Sequence, residues 1–457
     1  MIPDNVKRVM FALEEIGYEA YIVGGASLYH YAHATNLKDY QIAPKDYDIF
    51  TNCNAETLLE TFLCKPIGGQ ERLDKIFTVV TNDGIEISTY RSDGKRLKEG
   101  STIFEHQATC DFTINAIAMK SDGTFILPPY VNTHLQKKEL HAMGNPRDRI
   151  LEDHNRILRA YRTASKYNLY IEDNLYKVLK LHNINKIPTE NIRDELFKIL
   201  QYENGIDKLY QSHVLFEIFP ELKEMKGLVG QSIYHEETVL EHSIQTYREM
   251  LKFKPDPIML FAALMHDIGK PKAFNPETGK FTGHEEAGVP LINEIVTRLK
   301  FKNEDVKRIS WLVENHMFSK ASVSTRRKKW YKFFNSMHDH HVLFSEFILL
   351  QYCDTISRKI NDHWLKEKTS PFSEWYREQP AHSWYKDYQS GNFPRSVTNL
   401  EINGHDILSL GIQPSDKVGK ILNRLWEMCL ADEIKNDHST LTTTVSKWIA
   451  NGNIDKL

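Results

Sequence analysis

The stretch 43-APKDYDIFTN-52 places Asp46 and Asp48 two residues apart with Tyr47 between them. In a strand, residues i and i+2 point to the same side, so both carboxylates face one way and repel each other. A divalent cation would hold them together. An isolated Asp-x-Asp is more often a solvated strand end, so its neighbours decide the reading. Upstream, "YEAYIVGG" is an apolar strand ending in Gly24-Gly25, where missing side chains let a phosphate approach backbone N–H groups. Downstream, "IFTVVTNDGIEISTYR" reads as two strands around an Asn82-Asp83-Gly84 turn. Glu86 sits on the second of them, where it can join the two aspartates. Two carboxylates plus substrate phosphates are the usual way a protein holds Mg²⁺. Ions held there activate an attacking hydroxyl and neutralise a leaving pyrophosphate.

The remainder of the 457 residues sets the context. A length of this order suggests roughly three or four domains. The composition, 41% hydrophobic and 26% charged, is that of a soluble globular protein. No run approaches the roughly 18 apolar residues of a membrane span. The N-terminal "MIPDNVKRVMFALEEIGYEA" carries acids within its apolar pattern and reads as an amphipathic helix, not a signal peptide. The five cysteines are scattered and none pairs at metal-ligand spacing, which points to reduced thiols in the cytoplasm. A net charge of −3 rules out a globally basic nucleic-acid binder, so any RNA must be held by local patches.

Periodicity divides the chain. Residues 1–147 alternate as an α/β head. From about 148 the apolar spacing turns helical and stays so, giving an α+β chain whose later regions are all α. The expected regions are a helical neck over 148–232, a histidine-rich helical region over 233–362, a Trp- and Pro-rich connection over 363–395 and a small helical tail over 396–457.

Three further clusters carry chemistry. "LEDHNR" sets Glu152, Asp153 and Arg156 within one helical turn, which by itself is an ordinary ion pair. In "LMHDIGKPKAF" the His266-Asp267 pair ends an apolar helix stopped by Gly269 and Pro271. That is a poor way to build a core and a good way to aim an imidazole and a carboxylate at one ion. His242, His284, His316 and Asp354 stand in nearby helical segments. "STRRKKWYKFF" mixes Arg326, Arg327, Lys328 and Lys329 with aromatics, which makes either a solvated face or an RNA phosphate contact.

Taken in order, "IVGG…PKDYDIFTN…IEISTYRSDG…CDFTINAIA…GNPRDRILEDHNRILRAYRTA" resembles the head and neck of bacterial-type CCA-adding tRNA nucleotidyltransferases and their poly(A) polymerase relatives. The likeness runs into the tail at "INGHDILSLGIQPSDKVGKILNRL". It implies a polymerase-β-like nucleotidyltransferase head with Asp46, Asp48 and Glu86 catalytic and Mg²⁺ on the two aspartates. It also implies nucleotide binding by Gly24, Gly25, Asp111, Asn115, Glu152, Asp153, Arg156 and Arg159, with the Glu-Asp-x-x-Arg motif reading the incoming base. CTP, ATP and tRNA are the implied partners, with the tail gripping the outer part of the tRNA. The histidine-rich region resembles the HD phosphohydrolase superfamily. There His242, His266, Asp267 and Asp354 would hold a divalent metal (Ni²⁺, Mn²⁺, Co²⁺ or Mg²⁺), with His284 and His316 at second-metal positions, for attack by water on a phosphate ester. The sequence departs from the nucleotidyltransferase pattern at Leu28-Tyr29, where the family has Arg-Asp, and at Thr109-Cys110, where it has Arg-Arg. An alternative reading is therefore an RNA-end phosphohydrolase with a repurposed head.

Overall fold

The computed structural model describes residues 2–67, 78–92, 95–96, 101–229, 237–318, 327–358, 371–378, 380–390, 394–431 and 433–452. The chain forms two compact units, Met1–Pro220 and Glu221–Leu457.

In the first unit, strands β1 (Ala20–Val23), β2 (Asp48–Thr51), β3 (Cys64–Pro66), β4 (Thr78–Thr81) and β5 (Glu86–Thr89) join the short strands Ala118–Met119 and Phe125–Ile126 in a seven-stranded mixed sheet. Its order is β3-β4-β5-β2-β1, then Ala118–Met119 and Phe125–Ile126. β1 runs antiparallel to β2 with Val23 opposite Asp48, and β2 runs parallel to β5 with Asp48 beside Glu86. The expected hairpin is present: β4 and β5 pair antiparallel around Gly84, which takes φ +79°, a conformation glycine adopts without strain. Met10 and Leu13 of the first helix, Asp4–Glu15, pack with Ile22, Ile49, Val79 and Ile87 of the strands in the core below the sheet. Asp46 lies just before β2 rather than inside it.

The neck helix Arg156–Lys166 buries Ile157, Leu158, Ala160, Tyr161 and Ala164. Its other face carries Arg156, Arg159, Arg162 and Lys166. "LEDHNR" is not one helical turn. Helix Pro146–Glu152 ends before Asp153, and the next begins at Arg156. The break has a local cause, because the Asp153 carboxylate accepts from the Asn155 backbone N–H (2.9 Å) and its side-chain amide (2.7 Å). Such a side-chain bond competes with the helical ladder.

The second unit is helical. Helix Pro257–Met265 is buried on all sides; Pro257 stands at its first turn and Asp256 caps it through the N–H groups of Ile258 and Met259. It delivers His266 and Asp267 to the centre of the bundle. Gly269 permits a close crossing just beyond: a β-carbon there would lie 2.0 Å from the His284 carbonyl oxygen. Where a connection was expected, Phe372–Glu378 and Pro380–Gln389 are helices. Their aromatic residues pack on the bundle, with Trp375 against Tyr352 and Tyr385 against Phe344. The tail helices Gly404–Ser409, Asp416–Leu430 and His438–Ala450 close around Ile407, Ile421, Leu425, Leu441 and Val445. Among the described residues, no helix is long and apolar enough to cross a membrane.

Candidate functional site

A cleft of about 1370 Å³ lies within the first unit. Its lining includes Gly24, Gly25, Asp46, Asp48, Glu86, Asp111 and Asn115 from the head, and Glu152, Asp153, Arg156 and Arg159 from the neck. Residues spread over 136 positions of sequence, from Gly24 to Arg159, thus share one cavity.

On its head side three carboxylates gather. The register puts Asp48 beside Glu86. Burial pushes the Asp48 carboxyl up to about 6, and the charges of Asp46 and Glu86 push the same way. A carboxylate so disfavoured in its charged form fits a site built to share a cation. Gly24 takes φ +66°, and a β-carbon on it would stand 3.7 Å from Asp48 Oδ2. The glycine pair therefore puts no side-chain bulk beside the carboxylates.

The neck side is cationic but largely paired. Arg156 bonds Glu152 Oε2 at 2.7 Å and the Arg149 carbonyl at 2.7 Å. Arg159 forms an ion pair with Asp111 Oδ2 at 2.9 Å. Asp111 is buried and also accepts from the Asn115 amide and the Phe112 N–H, each at 2.8 Å. Asp111, Asn115 and Arg159 thus form one bonded set at the junction of head and neck. Leu28 is buried. Cys110 lines the cleft, and burial raises its thiol to about 12, so it stays protonated. The sequence reading missed Lys166, whose ammonium reaches the glycine pair from the neck helix.

The second unit holds a separate cluster. His242, His266 and Asp267 form one group able to hold a metal, and Asp267, His284 and His316 another, all of them buried. His242 Nε2 lies 3.0 Å from Asp354 Oδ1, and its Nδ1 lies 3.2 Å from Glu237 Oε1. Nδ1 of His266, His284 and His316 stands 2.9, 2.9 and 2.7 Å from the carbonyl oxygens of Ala263, Phe281 and Val313. A carbonyl only accepts, so those Nδ1 atoms carry protons and the Nε2 atoms face the interior of the cluster. Two of these, His284 Nε2 and His316 Nε2, are 3.1 Å apart. His266 Nε2 is buried 3.1 Å from Asp267 Oδ2. Inward ring nitrogens and carboxylate oxygens gathered at this spacing fit a divalent cation. Burial alone would raise Asp267, but His266 and Lys270 outweigh it and hold the carboxyl well below its usual range. Burial lowers His316 to about 4, so it is neutral, as a ligand must be.

The basic run is described only in part. Trp330 and Tyr331 are buried, so its aromatics are core and offer no stacking surface to RNA. Lys329 Nζ sits 5.1 Å over the Phe318 ring. Arg326 and the side chains of Arg327 and Lys328 lie outside the described residues.

The first unit presents carboxylates of a mixed sheet to a neck-lined cleft, and the second is a helical bundle around a His/Asp cluster. Residues 239–380 match the HD domain family. The fold is that of the CCA-adding enzymes. The structure covers the whole of the Bacillus stearothermophilus CCA-adding enzyme in complex with CTP and is itself fully covered, with a TM-score of 0.66 and 18% identity. In sequence the chain is similar to the A-adding tRNA nucleotidyltransferase of Deinococcus radiodurans, 33% identical over 45% of this chain and 51% of that protein. It is also similar to poly(A) polymerase I of Salmonella typhimurium, 28% identical over 58% and 60% of the two chains. The chain spans about half the length of the curated relatives it matches.

Proposed function

We propose that the chain is a template-independent RNA nucleotidyltransferase that adds C and A to tRNA 3′ ends from CTP and ATP. The observation that carries this reading is that Asp46, Asp48 and Glu86 share one cleft with Glu152, Asp153 and Arg156 and with a half-buried glycine pair. Asp46 and Asp48 would hold Mg²⁺, which supplies activation of the RNA hydroxyl and neutralisation of the leaving pyrophosphate. Gly24 and Gly25 let the nucleotide phosphates approach the backbone. Asp153 accepts from the amino group of cytosine or adenine, and Arg156 donates to the adjacent ring nitrogen. Uracil and guanine offer a carbonyl and an N–H at those places, so both contacts turn repulsive. For Arg156 to do this, its guanidinium turns from Glu152 toward the base. The test is to incubate the purified protein with tRNAs lacking one, two or all three terminal nucleotides and each labelled nucleoside triphosphate. Incorporation from CTP and ATP, and none from UTP or GTP, is expected. Equal use of UTP and CTP would end the reading.

The His/Asp cluster supports a second activity in the same chain. His242, His266, Asp267 and Asp354 would hold a divalent metal, with His284 and His316 able to hold another, and the metal would supply activated water for phosphate-ester hydrolysis. RNA ends bearing terminal or 2′,3′-cyclic phosphates are its proposed substrates. The facing Nε2 atoms of His284 and His316 favour this over a purely structural cluster.

A further inference from the structure

We propose that Lys166 binds the triphosphate tail of the incoming nucleotide, reaching it across the glycine pair. The proposal rests on the nucleotide-addition reading and adds to it a residue that selects for the triphosphate.

Three observations carry it. Arg156, Arg159, Arg162 and Lys166 stand three, three and four residues apart on the neck helix, so they share one face, and that face lines the cleft. The first three are matched by carboxylates: Glu152 at 2.7 Å, Asp111 at 2.9 Å and Glu195 at 3.1 Å. On this face Lys166 alone lacks a carboxylate partner among the described residues. Its position is the third observation. A β-carbon on Gly25 would lie 3.8 Å from Lys166 Nζ, and one on Gly24 would lie 3.7 Å from Asp48 Oδ2. Two adjacent glycines therefore lie between a carboxylate suited to Mg²⁺ and an ammonium whose charge is not already matched.

The charge balance of the site calls for such a group. A triphosphate brings about four negative charges at neutral pH to a cleft that already holds Asp46, Asp48 and Glu86. Mg²⁺ offsets part of this on the carboxylate side. The end of the phosphate chain away from the aspartates still needs a cation, and the arginines of the neck are engaged elsewhere. Lys166 has a simpler possible role, as a cation at the C-terminus of its own helix, with its ammonium 4.9 Å from the Tyr167 ring. That role stabilises the helix but would not distinguish a nucleoside triphosphate from a monophosphate.

The test is equilibrium binding of CTP and of CMP, each with Mg²⁺, to the wild-type chain and to K166M, K166Q and K166R. Methionine and glutamine keep most of the side-chain stem without the charge, and thermal unfolding confirms that each variant is folded. K166M and K166Q should bind CTP about 10- to 100-fold more weakly, the loss of one charge-assisted contact. CMP binding should be unchanged, and K166R should restore most of the CTP affinity. If wild type prefers CTP to CMP and K166M keeps that preference in full, the role of Lys166 is overturned while the reading of the cleft stands. Equal weakening of CTP and CMP would also overturn it, reducing Lys166 to a structural residue. If the wild-type chain binds neither CTP nor ATP, the nucleotide-addition reading falls and takes this proposal with it.

Discussion

Asp48 stands beside Glu86 in the parallel ladder of β2 and β5, so two carboxylates are fixed side by side by backbone hydrogen bonds. The fold holds them there, against their mutual repulsion, through the core beneath Ile49 and Ile87.

This arrangement has a pH signature. The Asp48 carboxyl is raised from 3.8 to about 6, so the folded chain holds that proton more tightly than the unfolded chain does. Without metal, its contribution to stability is therefore greatest below the unfolded value and falls as pH rises through about 6. The loss is at most about 3 kcal/mol by the pKa arithmetic, and less where water reaches the cleft. Mg²⁺ should reverse it. Thermal unfolding with and without Mg²⁺ should show a larger stabilisation at pH 7.5 than at pH 5, values chosen about a unit or more either side of the titration. Asp48→Asn should unfold at a higher temperature than wild type without metal and lose most of the Mg²⁺ response. A Mg²⁺ effect equal at both pH values would contradict this account.

Asp153 lies at a helix corner, bonded to Asn155, and is not paired with Arg156, which bonds Glu152. If the two residues choose the base, Asp153→Ala should weaken use of both CTP and ATP and relax the rejection of UTP and GTP. A site built to hydrogen-bond its substrate discriminates by about 10⁴ or more against one that cannot, so the change should be plain in single-nucleotide incorporation. Unchanged selectivity would leave the motif as the cap of a helix corner.

In the second unit, Glu237 accepts from His242 Nδ1 while His242 Nε2 faces Asp354. A carboxylate behind a ligating histidine fixes the ring and raises its basicity, and losing one commonly lowers metal affinity by about 10- to 100-fold. Glu237→Gln should show that loss in a metal-binding titration. Its unfolding temperature without metal should change little, because the amide can still accept from Nδ1–H. A variant that binds metal as tightly as wild type would make Glu237 a packing residue.

The two centres draw on different residues. Asp267→Ala should therefore remove bound metal and phosphatase or cyclic phosphodiesterase activity while leaving nucleotide addition intact. The check is to assay both activities on one preparation and to measure its metal content. Loss of both activities with the fold preserved would contradict two independent sites.

Much of this was legible in the sequence because the signals are local. The glycine pair after an apolar strand, the Asn82-Asp83-Gly84 hairpin and the His266-Asp267 step at the end of an apolar helix are each set by a few adjacent residues. What was missed depends on distant packing or on a competing local bond. The approach of Lys166 to Gly25 follows from how the neck helix seats on the head, across 141 residues. The interruption of "LEDHNR" comes from one carboxylate taking a backbone N–H that a continuous helix would have used. The helices over 372–389 were concealed by Pro and Ser in the composition, although their aromatic residues recur at helical spacing. Trp330 and Tyr331 read as partners of a basic run because burial cannot be seen in a seven-residue window.

The most direct measurement is labelled CMP and AMP incorporation into tRNA lacking its terminal nucleotides, comparing wild type with Asp46→Ala, alongside a tRNA-binding assay on the same preparations. Asp46 belongs to the proposed metal site, and in the proposed complex phosphate contacts elsewhere would carry the RNA affinity. The account predicts that the variant binds tRNA nearly as well as wild type and adds neither nucleotide. Full addition by Asp46→Ala would contradict it.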